Sequence, residues 1–95
     1  SPIKRAKLVG LQRNVCVALG NIRDRAAVPA LVRALHESEY SLVRSHSAWA
    51  LGCIGGSDAR GSLLDAITIE GDEEVRKEIL DALNAIDLPS LHSGM

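Results

Sequence analysis

Ninety-five residues with a formal charge of −1, one Trp, one Tyr and no Phe describe one small domain whose core must be aliphatic. That composition excludes aromatic stacking platforms for single-stranded nucleic acid. No apolar run approaches the roughly 18 residues of a membrane span, and the N-terminus lacks a signal-peptide pattern. The near-neutral total conceals a gradient, with nine Lys or Arg against four acids in residues 1–60 and two against eight in residues 61–95. A basic front can meet phosphate and an acidic back can keep a free end soluble, although solvated helix faces also carry charge for no further reason.

In chain order, residues 4–20 are predicted as the first helix, opened by Lys4, Arg5 and Lys7. Gly20-Asn21 is expected to end it, since both residues tolerate a left-handed backbone. Asp24 caps a second helix over 25–36, with Pro29 near its first turn, where a missing N–H costs little. Glu37 to Tyr40 is a polar turn. Ser41 caps a third helix over 42–54, which Gly55-Gly56 ends, and Ser57 caps a fourth over 58–69. Asp72, Glu73 and Glu74 suit the positive end of a fifth helix over 73–86. Residues 1–88 are therefore read as one domain, and the Pro, Ser and Gly of 89–95 as a flexible tail.

The third helix shows how these elements are related. Val43, Ser47, Ala50, Leu51 and Ile54 share one helical face. An offset of 32 residues in either direction returns the same pattern: Leu11, Val15, Ala18, Leu19 and Ile22 before it, Val75, Ile79, Ala82, Leu83 and Ile86 after it. The second helix repeats too, Ala27, Leu31, Ala34 and Leu35 recurring as Ala59, Leu63, Ala66 and Ile67. A two-helix unit of this period predicts an all-α fold, an α-α superhelix of about two and a half helical hairpins, each burying its apolar face by stacking on the next. Ala18, Ala50 and Ala82 are the small residues that let helices approach closely. The sequence resembles the short HEAT-like repeats, in which Ala-Leu-Gly closes one helix and Val-Pro-Ala-Leu opens its partner; here these are Ala18-Leu19-Gly20 and Val28-Pro29-Ala30-Leu31. The unit count falls short of the ~3 repeats an array usually needs, and the chain opens on Ser1-Pro2 without Met. A neighbour on at least one end is expected.

Catalytic chemistry is hard to find. Cys16 and Cys53 have no partner at CxxC spacing and lie beside the apolar stripe, where they read as small buried hydrophobes. His36, His46 and His92 form no ligand pair, and His46 reads as a partly exposed helical residue beside Trp49. Gly52-Cys53-Ile54-Gly55-Gly56 follows a helix and lacks Lys-Ser or Lys-Thr, so helix termination explains it better than a phosphate loop. By its own residues the segment is not an enzyme. Arg44 recurs as Arg76, which favours a structural fork holding a carbonyl or acid of the preceding hairpin. Arg13 does not recur, its equivalents being Ser45 and Lys77, and is the better candidate for a specific contact. Trp49, against Val17 and Asp81 in the sister repeats, either covers a helix seam or offers a docking edge.

A more specific resemblance covers residues 1–56. Ser1-Pro2-Ile3-Lys4-Arg5-Ala6-Lys7, Gly10-Leu11-Gln12-Arg13-Asn14 joined to Ala18-Leu19-Gly20-Asn21, and Val43-Arg44-Ser45-His46-Ser47-Ala48-Trp49-Ala50-Leu51-Gly52 resemble the C-terminal HEAT-like region of bacterial epoxyqueuosine reductases. The resemblance implies a cytoplasmic parent enzyme that reduces the epoxide of epoxyqueuosine in certain tRNAs, using cobalamin and two 4Fe-4S clusters. The cluster cysteines would lie upstream, leaving no cofactor in this segment. It further implies a non-catalytic domain that docks the tRNA anticodon stem-loop and scaffolds the upstream catalytic domains. The RNA-binding candidates are Lys4, Arg5, Lys7, Arg13 and Arg23, with Asn14, Arg44 and His46 behind them, their contacts going mostly to phosphate. The rival expectation is a protein–protein adaptor that touches no RNA.

Overall fold

The computed structural model describes residues 2–88, so the tail assigned to 89–95 lies outside the described residues. Its elements are α1 (Pro2–Ile22), a 3-10 turn (Arg25–Ala27), α2 (Val28–Glu37), α3 (Ser41–Ile54), α4 (Ser57–Ile69) and α5 (Glu73–Asp87). No strand occurs among the described residues. Helix α3 lies between α1 and α5 in one layer, while α2 and α4 pack against it and each other as a second. This is the stacked two-layer arrangement that the period of 32 implies.

The core follows the stripe. Val43, Ser47, Ala50 and Leu51 of α3 and Val75, Ile79, Ala82 and Leu83 of α5 are buried, joined by Leu31, Leu35 and Leu63 from the second layer. Each large aliphatic side chain so buried contributes about 1.5–3 kcal/mol. Ser47 is accommodated because its hydroxyl donates to the Val43 carbonyl at 2.8 Å, with Cys16 Sγ 3.4 Å away. The first copy of the stripe differs: Leu11 is 61% exposed, Val15 49% and Ile22 67%. Nothing among the described residues stacks on that side of α1.

Several boundaries depart from the local expectations. Gly20 does not end α1, which runs on to Ile22, and the left-handed residue is Arg23 at φ 60°. Gly20 is buried at the crossing of α1 with α3, where an added Cβ would stand 3.0 Å from Trp49 Cε3 and 3.1 Å from Ala50 Cα. The same crossing recurs 32 residues on, with Gly52 against Ala82. These glycines therefore serve close approach, with the alanines on the facing helix. Neither Ser41 nor Ser57 caps: the N-cap residues are Tyr40 and Gly56, without side-chain cap bonds. Before α3, Ser38 Oγ takes the Tyr40 N–H instead; before α4, Gly55 and Gly56 at φ 73° and 93° make the turn. Asp24 caps the 3-10 turn, accepting from Ala26 N–H, while α2 itself starts from Ala27 without a side-chain cap; Asp72 caps α5, accepting from Glu74 and Val75 N–H.

Candidate RNA-contact surface

Helix α1 carries Lys4, Arg5, Lys7 and Arg13 and no acid, and Arg23 follows it. At about 100° per residue these side chains do not share one face. Relative to Lys4, Arg5 is turned about 100°, Lys7 about 60° the other way, and Arg13 about 180°. The expected single basic front is thus spread around and along α1, because the repeat reserves one of its sides for stacking on α3.

Arg13 and Asn14 hold each other, the Arg13 Nε and Nη2 each 3.3 Å from Asn14 Oδ1. Both point off the stripe. Arg23, in its left-handed conformation, reaches a groove between α3 and α5 lined by Trp49, Gly52, Cys53, Glu78 and Asp81. His46 lies in an adjoining depression with Val17, Ser45, Trp49 and Glu78. Its Nδ1 donates to the Leu42 carbonyl at 2.8 Å, leaving Nε2 to face a partner. The structure therefore brings His46 and Arg23 to either side of Trp49, while Lys4, Arg5 and Lys7 occupy the far end of α1. Glu78 and Asp81 stand among the former pair, so a phosphate there meets acids as well as cations.

Arg44 is engaged elsewhere. Its Nε and Nη2 donate to the two carboxylate oxygens of Glu70 at 2.9 and 3.1 Å, and its Nη1 to the Ser38 carbonyl at 3.0 Å. Arg76 repeats half of this, its Nη1 donating to the Ile67 and Glu70 carbonyls at 2.9 and 3.0 Å. The fork expected for both is present, but the acid held by Arg44 lies in the loop after α4, one hairpin downstream, rather than in the preceding hairpin. These bonds tie Arg44 into the fold. Burial pushes the Glu70 carboxyl up, and the bonds from Arg44 and the Asp72 N–H, with the Arg44 charge, outweigh it and hold it below its ordinary value. Gln12 occupies the corresponding place in the first repeat, and its Oε1 is buried without a protein partner among the described residues. Sequence reasoning missed Glu70; its only signal was an acid 32 residues after Ser38.

The cysteines offer no reactive centre. Cys16 is buried against Ser47. For Cys53, burial pushes the thiol up, Arg23 opposes and Glu78 adds to it, so it stays protonated at neutral pH. No three His, Cys, Asp or Glu converge on a metal position among the described residues, and no described helix is long and apolar enough to cross a membrane.

The family described as HEAT repeats matches residues 8–89. Epoxyqueuosine reductase of Bacillus subtilis (strain 168) is 36% identical over 69 residues, covering 73% of this chain and 18% of that protein. An uncharacterized protein in the gldA 3′ region of Geobacillus stearothermophilus is 37% identical over 76 residues, covering 80% of this chain and 35% of that one. The crystal structure of epoxyqueuosine reductase with a tRNA-Tyr epoxyqueuosine-modified tRNA stem loop superimposes with a TM-score of 0.76 at 32% identity, over 80% of this chain and 20% of that chain. The chain thus spans about a third or less of the length of these relatives, and it matches the helical repeat part of the reductases.

Proposed function

This chain belongs to the HEAT-repeat family, and on that premise we propose that it acts as the tRNA-docking and scaffolding portion of an epoxyqueuosine-reductase-like oxidoreductase of the cytoplasm. The observation that carries the reading is the charge of α1: Lys4, Arg5, Lys7, Arg13 and the following Arg23, with no acid before Asp24. Such a helix attracts the backbone of an anticodon stem-loop without reading its bases. Asn14 supplies a donor beside it, and His46 on α3 presents the ring nitrogen not bonded to the Leu42 carbonyl. Base recognition and reduction fall to catalytic domains outside these residues.

The resemblance places the 4Fe-4S clusters and cobalamin in upstream domains, and the cysteines present do not fit a cluster. Cys16 is enclosed against Ser47, and the described residues hold no converging ligand set. No step of the reduction is assigned to this chain. What it does is position: it presents cations on a helix whose orientation is fixed by the Gly20–Ala50 crossing.

The test is the salt dependence of binding between the chain and an anticodon stem-loop. Affinity should fall steeply from low to physiological salt, and Lys7→Ala with Arg13→Ala should shrink the logarithmic slope by roughly one per cation removed. An unchanged slope removes both residues from the contact. Absence of binding at any salt favours the adaptor, a reading to which the open apolar side of α1 also lends support.

A further inference from the structure

Between the two helices of the second layer lies a trough of about 620 Å³, walled by Val28, Pro29 and Val32 of α2 and by Asp58, Gly61 and Ser62 of α4. We propose that it docks a basic helix of a separate protein, with cations spaced to meet Asp58 and Asp65 and a small residue set against Gly61. The inference is independent of the RNA contact, whose candidates lie on α1, just after it or on α3. It is also separate from any continuation of the stack. Further repeats add at the ends of a solenoid and leave a trough on its flank uncovered.

Two adjacent residues of α4 carry a local cost that nothing in the fold offsets. Gly61 lies inside the helix, where glycine is less favourable than alanine, yet an added Cβ there would meet nothing within 4 Å. At Gly20 and Gly52 the missing side chain admits a facing helix; at Gly61 no helix faces. Next to it, Ser62 is 9% exposed, and its Oγ is buried with no partner among the described residues, which costs the desolvation of the hydroxyl. An occupant that approaches the α4 backbone closely and brings a donor relieves both.

Charge selects that occupant. Asp58, Ser62 and Asp65 stand at i, i+4 and i+7 on one face of α4, the two carboxylates about 10 Å apart along its axis. Neither has an ion-pair partner among the described residues. With Glu37 they set three acids in the trough against one cation, Arg33. A helix lying along the trough meets both carboxylates with cations seven residues apart, and a small residue between them falls opposite Gly61. An arginine there has donors enough for Asp65 and the neighbouring Ser62 hydroxyl together. RNA would set its phosphates against these acids. A second copy has no helix to offer, since no two Lys or Arg of this chain are seven residues apart.

The probe is a stapled helical peptide with two arginines seven positions apart, alanine midway, leucines beside the alanine and glutamine elsewhere. Titrated into the 95-residue chain, it should bind saturably and shift the amide resonances of residues 28–37 and 57–65. Asp58→Asn with Asp65→Asn should weaken binding by about tenfold or more, as expected on losing charge-assisted bonds. Gly61→Leu fills open space, so it should leave the melting temperature unchanged or raised while abolishing binding. Ser62→Ala should stabilise the free chain by removing an unpaired hydroxyl and still weaken binding. Failure of the peptide to bind overturns the proposal, as does equal binding once its arginines are replaced by glutamine or once Gly61 is replaced by Leu. A dimer of the chain that Gly61→Leu dissolves overturns it in favour of a second copy. A stem-loop that shifts the trough resonances overturns it in favour of RNA.

Discussion

A Cβ placed on Gly52 would stand 2.8 Å from the Cβ of Ala82 and 2.9 Å from its Cα, closer than two side chains can come. The two helices therefore meet backbone to backbone at this point, and the distance between α3 and α5 is set by the absence of a side chain. Gly20 and Ala50 set the distance between α1 and α3 in the same way.

Gly52→Ala is expected to destabilise the chain by about 1–3 kcal/mol, the cost of overpacking a fitted crossing. Gly61→Ala is expected to do the opposite. Gly61 lies inside α4 with nothing within 4 Å of its added Cβ, so the gain in helix propensity stabilises by roughly 0.5–1 kcal/mol. Urea denaturation of both variants reads the difference, and equal signs would deny that the seam depends on glycine.

The Arg44–Glu70 pair should appear in the pH dependence of stability. Glu70 titrates below its ordinary value of 4.5 when folded, so the folded state binds that proton less readily than the unfolded chain. Its contribution is present above the unfolded value and is lost as pH falls through the folded one. Glu70→Gln should flatten the acid limb of a stability–pH profile. Arg44→Ala, which leaves a carboxylate only 7% exposed without its partner, should cost about 2–3 kcal/mol near neutral pH. Arg60→Ala should leave the melting temperature unchanged: its bond to Asp87 at 2.7 Å joins two half-exposed side chains, and water screens such pairs.

Arg23 holds a left-handed backbone at φ 60°, which costs a residue with a side chain roughly 1 kcal/mol. Arg23→Gly is expected to raise stability by up to about that amount while weakening stem-loop binding and its salt dependence. Stability and affinity moving in opposite directions would mark strain kept for function. A variant that gains stability and binds unchanged would leave Arg23 with no part in the contact.

The repeat was legible because Val43, Ser47, Ala50, Leu51 and Ile54 return at a fixed offset, and burial of a stripe depends on spacing more than on detail. Helix ends were less so. Gly20-Asn21 looks like a terminator locally, yet what decides its role is the neighbouring helix bearing Trp49 and Ala50. Ser41 and Ser57 have the right chemistry for caps, but Ser38 and the Gly55-Gly56 turn fix the chain direction first. Arg44 and Arg76 announced a fork by recurring, whereas Glu70 gave no such sign, because its pairing spans 26 residues and two loops. The candidate cations were legible as composition and not as geometry: counting them shows that the front is basic, but only the helical turn shows that Arg13 and Lys4 look in opposite directions.

The paired glycine and alanine make the stack indifferent to its own length. Since each crossing sets the same glycine against the same alanine, with Trp49 added only at the first, a 32-residue cassette such as 41–72 offers at its trailing edge nearly the same socket it fills at its leading edge. Evolution can splice such units in or out of a protein of this kind while the pitch of the remainder stays put. Reach along a long substrate can then be adjusted by number of units alone, independently of whatever chemistry is carried elsewhere.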